Sequence, residues 1–302
     1  MAQTAGNPLS YQYPATGEGH LGTDDTKIRS ETQRVSIFSA TTSFLIDVII
    51  CKKPGGGETL NQQPETRYLD IGDTELEYLH YEGPEPTIVL QHATGFLPWL
   101  WHPIARELAK SHRVIAPYFC DHREGELEEG GLSWITLAAD LAVLCEKLKL
   151  HKPILVGHSM GATVMTFAEG LNNVGASAMV LVEPIFFPEH LYHFNIQVEH
   201  HPLAVKSLMR RNNWHDMAEV RTYLKSKQLF ANWEDEFLDL YVQYGTVQSE
   251  TAELELTCPP PQEAALFMGG MVYDPWPILP KVTCPVLVLE GETSGNRQQI
   301  DL

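Results

Sequence analysis

The stretch that decides the fold is residues 153–162, Pro-Ile-Leu-Val-Gly-His-Ser-Met-Gly-Ala. Its first four residues are an apolar run that predicts a buried strand, and residues 162–171 have the apolar spacing of a helix. Between them lies Gly157-His158-Ser159-Met160-Gly161, a G-x-S-x-G motif. So short a motif also occurs by chance, but strand, tight turn and helix are the context in which it forms a nucleophile elbow. We expect its two glycines to leave room where a Cβ would clash with the neighbouring strand and helix.

The overall composition narrows the classes of partner. The chain has 302 residues, with 21 basic and 39 acidic side chains and a net charge of −18, which opposes binding to nucleic acid or anionic membranes. Its five cysteines are scattered without a C-x-x-C pair, which favours free thiols over disulfides or a zinc site. The apolar stretch Phe44–Cys51 is too short for a membrane span. We expect a small-molecule substrate, no nucleic acid, no membrane span, and neither metal nor cofactor.

The order of apolar segments predicts an α/β protein with an insertion. Strands alternate with helices between residues 87 and 184, which favours a parallel sheet covered by helices on both faces. From Ile185 this alternation stops, and Pro285–Leu289 predicts a return to the sheet as a buried strand. The predicted regions are a mobile N-terminal arm (1–34), the first part of the core (35–184), a mostly helical cap (185–277) and the second part of the core (278–302).

Individual elements follow from local patterns. Ser133 is a plausible N-cap for a helix with an apolar stripe. The other predicted elements are strands at Ser43–Cys51, Thr87–Leu90, Arg113–Pro117 and Ala178–Val182, a hairpin of Tyr68–Ile71 with Glu75–Tyr81, and helices at Leu100–Lys110, Asp216–Lys227 and Asp235–Tyr244.

Over roughly residues 66–302, this order of elements resembles the α/β-hydrolase superfamily. The resemblance rests on the elbow, on the loop His92-Ala93-Thr94-Gly95-Phe96 and on the late strand Pro-Val-Leu-Val-Leu-x-Gly at 285–291. Within the superfamily the chain is most similar to fungal hydrolases of secondary-metabolite and host-selective-toxin clusters, through residues 91–96, Glu183-Pro184 and residues 291–297. That resemblance implies acyl-CoA thioesterase or esterase activity, in a group that is often peroxisomal.

The elbow predicts nucleophilic catalysis by Ser159. A serine at this position, rather than an aspartate, argues against an epoxide hydrolase or dehalogenase and favours acyl transfer to water through an acyl-enzyme. The oxyanion would be held by the backbone N–H of Met160 and by a second N–H from Thr94, or alternatively Ala93. We expect His92 to be a structural hydrogen-bonding residue and His158 to pack beside the elbow.

The catalytic acid has two candidates. The position usual in the superfamily, after the strand that follows the cap, holds Ser294, which is not a carboxylate, and Glu292 lies nearby. Glu183 ends the strand after the elbow, a position at which some members of the resembling group carry their acid. We favour Glu183, although a solvated or capping carboxylate before Pro184 is the alternative.

The catalytic base is the difficulty. In the superfamily a histidine follows the last strand, but all thirteen histidines here lie at or before His215. Histidines of the cap, such as the pair His200-His201, are weaker candidates. The expectation is a truncated chain that lacks the final strand, the C-terminal helix and the histidine loop.

Two functions from different classes are therefore expected. The first is a serine hydrolase that cleaves an ester or thioester with an apolar acyl chain in a fungal pathway. The second is a catalytically impaired member that binds a ligand or is vestigial, and a transferase is a further reading. The resemblance implies a peroxisomal location, whereas the terminal residues 299–302, Gln-Ile-Asp-Leu, are not a peroxisomal address and favour the cytosol.

We expect the acyl pocket among aromatic and methionine residues of the cap: Phe186, Phe187, Met209, Trp214, Phe230, Trp233, Phe267, Met268 and Met271.

Overall fold

The computed structural model describes residues 63–194, 196–250 and 253–291. Within them the largest sheet has seven strands, which together with a small hairpin account for β1 Glu65–Asp70, β2 Glu75–Tyr81, β3 Ile88–Gln91, β4 Val114–Pro117, β5 Ile154–His158, β6 Ala178–Val182, β7 Thr246–Gln248, β8 Leu254–Leu256 and β9 Val286–Leu289. The order across the large sheet is β1-β2-β4-β3-β5-β6-β9. The pairs β1–β2 and β2–β4 are antiparallel. The adjacent strands β4, β3, β5, β6 and β9 are parallel to one another. The predicted, mostly parallel sheet is confirmed.

Helices follow the parallel strands. In chain order the helices are α1 His102–Leu108, α2 Trp134–Lys147, α3 Met160–Asn172, α4 Pro202–Leu208, α5 Met217–Lys225, α6 Gln228–Ala231, α7 Asp235–Tyr244 and α8 Pro260–Gly269. A 3-10 turn at Pro98–Trp101 leads into α1, where a single helix was predicted. Ser133 caps α2 as predicted, because its side chain accepts a hydrogen bond from the N–H of Ile135.

The core lies in the parallel part of the sheet. Every residue of β3 and β4 is buried, as expected for strands that are covered on both faces. The helix after the elbow is also packed on most of its surface, with ten consecutive buried residues from its start at Met160. The elbow is therefore held by densely packed elements of the core.

Between β6 and β9 the chain forms α4 to α8 and the antiparallel hairpin of β7 and β8. The predicted helices over 216–227 and 235–244 correspond to α5 and α7, whereas α4, α6, α8 and the hairpin were not predicted. Pro260 and Pro261, from the run Pro259-Pro260-Pro261, open α8. Proline is tolerated there because the first helical N–H groups have no intrahelical acceptor.

The prediction of a buried strand at Pro285–Leu289 was wrong, because one face of β9 is exposed and the other, with Leu287 and Leu289, is only half-buried. The side chains of Val286 and Val288 are 44% and 49% exposed. β9 pairs with β6 alone among the described strands, so it forms an edge of the sheet.

Several predictions lie outside the described residues: the N-terminal arm 1–34, the strand Ser43–Cys51, Glu292, and the expectation of a missing final strand and helix. In the part of the chain that the structure describes, no helix combines the length and hydropathy that crossing a bilayer requires.

Candidate active site

Ser159 stands in a strained turn between β5 and α3. Its φ of 54° and ψ of −119° lie outside the regions that a side-chain-bearing residue prefers. The turn is anchored by its backbone N–H, which donates to the carbonyl of Val182 at 2.9 Å. A Cβ on Gly157 would lie 2.5 Å from the N of Ala162, and one on Gly161 would lie 2.5 Å from the O of Gln91. Because these neighbours are backbone atoms, both glycines are required by close packing, as the motif predicted.

The loop in the predicted oxyanion position is a tight turn. The N–H of Phe96 donates to the carbonyl of Ala93 at 3.1 Å, and Gly95 has a φ of +69°. The buried Thr94 is at the centre of this turn. The turn follows directly from β3, whose end abuts the start of α3: an added Cβ on Gly161 would lie 2.7 Å from the O of His92.

Met160 is the first residue of α3, so its N–H belongs to the helical turn that lacks intrahelical acceptors. The structure thus brings the two predicted donor segments, at Met160 and at Thr94, to the same end of the sheet. Their role in binding an oxyanion stays a prediction.

His92 is held by both of its ring nitrogens. Its Nε2 accepts a hydrogen bond from the N–H of Phe119 at 2.9 Å, so Nδ1 carries the proton and donates to the carbonyl of Ala93 at 2.8 Å. Burial lowers the pKa of His92 to about 4, although the bond to Ala93 opposes this. The ring is therefore neutral and structural, as the sequence indicated.

Glu183 follows the last residue of β6 and has a φ of 47°. Its N–H donates to the carbonyl of Leu289 at 2.8 Å, and its Oε1 accepts a hydrogen bond from the N–H of Gly291. The exposed carboxylate is thereby tied to the end of β9, the strand after which the superfamily usually carries its acid. Its assignment as the catalytic acid stays a prediction.

His158 lies close enough to Glu183 to respond to its charge. Burial lowers the pKa of His158, and the negative charge of Glu183 opposes that effect. The imidazole is half-buried, next to the nucleophile in the chain, and it lines a cavity beside the elbow.

No described histidine is hydrogen-bonded to the side chain of Ser159. His201, one of the cap candidates, is instead buried at the start of α4, where its Nδ1 accepts the N–H of Ala204 at 3.2 Å. Its neighbour His200 is exposed. His201 is therefore a helix cap.

A cavity of about 290 Å³ lies beside the elbow. Two imidazoles and eight apolar side chains line it: His92, Ala93, Phe96, Leu100, Trp101, Ile104, His158, Val182, Trp233 and Phe237. Of the nine cap residues expected to line an acyl pocket, Trp233 alone does so. Trp214 and Phe230 are buried in the core instead, while Met268 and Met271 line a second cavity.

Sequence reasoning missed the wall that comes from the core. Leu100 and Ile104 are four residues apart, which places them on one helical face after the oxyanion loop. That spacing was the available signal. In the described part of the chain, no three His, Cys, Asp or Glu side chains are grouped to bind a metal ion.

Comparisons with known proteins agree with this fold. The family model described as Alpha/beta hydrolase family matches residues 88–300. A protein named Putative esterase/lipase 3, from Mycoplasma genitalium, is 24% identical over 177 residues, which are 56% of this chain. The match spans 60% of that protein's length.

Solved structures share the fold. The crystal structure of E-2-(acetamidomethylene)succinate hydrolase superposes with a TM-score of 0.63 and 21% identity, covering 76% of this chain and 81% of that one. A thioesterase domain from the curacin biosynthetic pathway gives 0.60 and 20% identity, covering 78% and 87%. Since the family match covers more than half of the chain and includes both β3 and the elbow, this protein belongs to the alpha/beta hydrolase family.

Proposed function

We propose that the protein is a serine hydrolase that cleaves an ester or thioester with an apolar acyl group. The observation that carries the proposal is the strained Ser159 at the end of β5, in an elbow whose His158 lines a largely apolar cavity. Strain of this kind persists where function needs it.

The proposed reaction is acyl transfer to water. Ser159 Oγ attacks the acyl carbon and gives up its proton to a base, and the N–H groups of Met160 and Thr94 stabilise the developing oxyanion. The tetrahedral intermediate expels the alcohol or thiol, which takes up the proton. Water then attacks the acyl-enzyme, which releases the carboxylic acid and restores the serine. The resemblance assigns the base to a histidine after the last strand, which Glu183 would orient; none of the thirteen histidines in the sequence lies at that position.

The lining of the cavity supports an apolar acyl group as the substrate moiety. The names of the relatives, an esterase/lipase and a thioesterase domain, support ester and thioester cleavage. We extend the proposal to an acyl-CoA thioesterase or esterase of fungal secondary-metabolite or toxin biosynthesis, acting in the peroxisome. Here the support is the likeness of residues 91–96, 183–184 and 291–297 to that group.

Labelling with a fluorophosphonate probe tests the proposal. The probe forms a covalent bond only with an activated serine, so we expect it to label the wild-type protein and not Ser159→Ala. Ser226→Ala, at the end of α5 in the cap, is the matched control and should label normally. A folded wild-type protein that remains unlabelled would contradict the proposal.

A second function is favoured by the lack of a histidine bonded to Ser159 among the described residues. It is a ligand-binding member with impaired catalysis, which would hold acyl compounds in the same cavity. Such a protein binds a fluorescent fatty acid but hydrolyses p-nitrophenyl esters no faster than Ser159→Ala does. Ordinary turnover by the wild type, abolished in Ser159→Ala, rules it out.

A further inference from the structure

A buried polar chain joins the cap to the oxyanion loop. Arg210, just after α4, donates from Nη1 to Glu263 Oε2 at 2.6 Å and from Nη2 to the hydroxyl of Tyr241 at 3.1 Å. The Tyr241 hydroxyl in turn lies 3.5 Å from the carbonyl oxygen of Gly95. Three cap segments, from α4, α7 and α8, thus meet at one peptide of the loop.

Glu263 contacts the same residue, Gly95, at its Cα. A Cβ built on Gly95 would lie 2.1 Å from Glu263 Oε1, so this carboxylate lies against the Gly95 Cα. The exposed fraction of the Glu263 side chain is 9%, and that of Arg210 is 23%. A charge buried to this degree is costly unless it is paired, so the two side chains depend on each other.

Tyr241 is the member able to donate to the loop. Burial raises the pKa of its hydroxyl, with Arg210 opposing, so the proton is present at neutral pH. The hydroxyl accepts from Arg210 and can therefore donate its own hydrogen to the Gly95 carbonyl. The Tyr241 ring also packs edge-on against Phe96, with the centroids 5.6 Å apart.

The contacted residue, Gly95, is one residue beyond the predicted donor. Gly95 follows Thr94 in the turn, and its positive φ sets how the loop leaves the oxyanion site. A catalytic N–H is effective only when its orientation is fixed before the charge develops. The loop meets that requirement because Tyr241 contacts the carbonyl of Gly95 and Glu263 lies against its Cα.

We propose that Tyr241 and the Arg210–Glu263 ion pair are positioning residues: they hold Gly95, the residue after Thr94 in the oxyanion loop, so the cap sets the turnover rate as well as covering the substrate. The inference rests on the proposed hydrolase function. It assigns these three residues no contact with the substrate.

The test uses two variants of the full-length protein. Tyr241→Phe removes the donor to Gly95 and keeps the ion pair, and Glu263→Gln removes the charge at nearly constant shape. Each should lower kcat on a p-nitrophenyl ester about tenfold, less than the loss on removing an oxyanion donor itself, while KM stays within about twofold. Amide hydrogen exchange of residues 93–96 should accelerate in both. If Glu263→Gln does not fold, Tyr241→Phe alone decides.

Glu236→Gln is the matched control. It breaks a second ion pair between core and cap, in which Arg106 of α1 donates to Glu236 of α7 at 2.6 and 3.2 Å, away from the loop. This variant should change neither kcat nor exchange at residues 93–96.

The outcomes separate the two proposals. An active wild type whose Tyr241→Phe variant keeps both kcat and the exchange rates overturns the positioning role and leaves the hydrolase function intact. So does a Glu236→Gln variant that loses as much activity as Glu263→Gln. If the wild type is inactive, the hydrolase function fails. Exchange at residues 93–96 still decides whether the chain of contacts holds the loop: faster exchange in the variants supports it, and unchanged exchange overturns it.

Discussion

At the scale of single residues, the site depends on two strained backbones at the ends of neighbouring strands. Ser159 and Glu183 both have positive φ values, 54° and 47°, in side-chain-bearing residues. The N–H of Ser159 donates to the carbonyl of Val182, the residue before Glu183 at the end of β6. The N–H of Glu183 donates to the carbonyl of Leu289 in β9. Conformations of this kind cost of order 1–3 kcal/mol each and persist only where the surrounding packing imposes them.

Gly161→Ala tests how closely the elbow is packed. Alanine is favoured over glycine in a helix by about 1 kcal/mol, but here its Cβ would meet the backbone oxygens of Gln91 and His92 at 2.5 and 2.7 Å. We expect the free energy of unfolding to fall by about 2 kcal/mol and probe labelling to be lost. In the same helix, the Cβ of Gly170→Ala would meet the Cγ2 of Ile278 at 2.5 Å, but the nearest backbone atom, the Ile278 oxygen, lies at 3.2 Å. Urea unfolding should show the smaller loss for Gly170→Ala, and an equal loss would contradict the argument.

His92 should make stability depend on pH. Its pKa is about 4 when folded and about 6.5 when unfolded, so the unfolded state binds more protons between these values. The contribution is present above pH 6.5 and is lost as the pH falls to 4, up to about 3 kcal/mol.

The His92→Asn variant lacks this titration, so the stability gap between wild type and variant should narrow from pH 7 to pH 4.5 in urea unfolding. His151→Asn, on the exposed loop before β5, is the control. A gap that stays constant with pH would count against the fixed neutral ring.

At the scale of elements, β6 and β9 are paired strands with opposite environments. Val180 in β6 is 2% exposed, whereas Val288 in β9 is 49% exposed. Val180→Thr buries a hydroxyl and should cost about 1–3 kcal/mol, while Val288→Thr should change the free energy of unfolding by less than about 0.5 kcal/mol. Thermal or urea unfolding of the pair measures both. An equal loss at Val288 would contradict the exposure of this face of β9.

At the scale of the whole molecule, the cavity proposed to hold the acyl group lies where the core and the segment between β6 and β9 meet. Leu100 and Ile104 form one wall, and Trp233 and Phe237 form the other. A cavity of about 150 Å³ with similar lining holds one benzene ring. The 290 Å³ found here therefore has room for roughly ten carbon atoms of an acyl group.

Phe237→Ala should lengthen the preferred acyl chain. Removing the ring enlarges the cavity, so kcat/KM should shift toward p-nitrophenyl esters longer than those the wild type prefers. Leu229→Ala is the control, because this residue of the same region is 63% exposed. If both variants keep the wild-type profile, the acyl group binds elsewhere.

Much of the fold followed from local patterns. The strand Ala178–Val182 and the helix Asp235–Tyr244 have the predicted bounds because their apolar spacing is unambiguous. The short helix α8 did not follow, since three prolines normally break a helix and only their position at its start permits them. The exposure of β9 was missed because apolar runs indicate burial without showing which strands lie beside them.

The sequence by itself determined the elbow. G-x-S-x-G between a strand and a helix predicts the strained serine from ten consecutive residues, although the close packing at Gly161 comes from Gln91 and His92. Tertiary structure alone decided the contacts that surround it: His92 with Phe119, Glu183 with Gly291, and Tyr241 with Gly95, which are 27, 108 and 146 residues apart. Such pairs leave no periodic trace in the chain, since they depend on how separate elements pack. The position of the nucleophile is thus written locally, whereas the geometry around it arises from the fold.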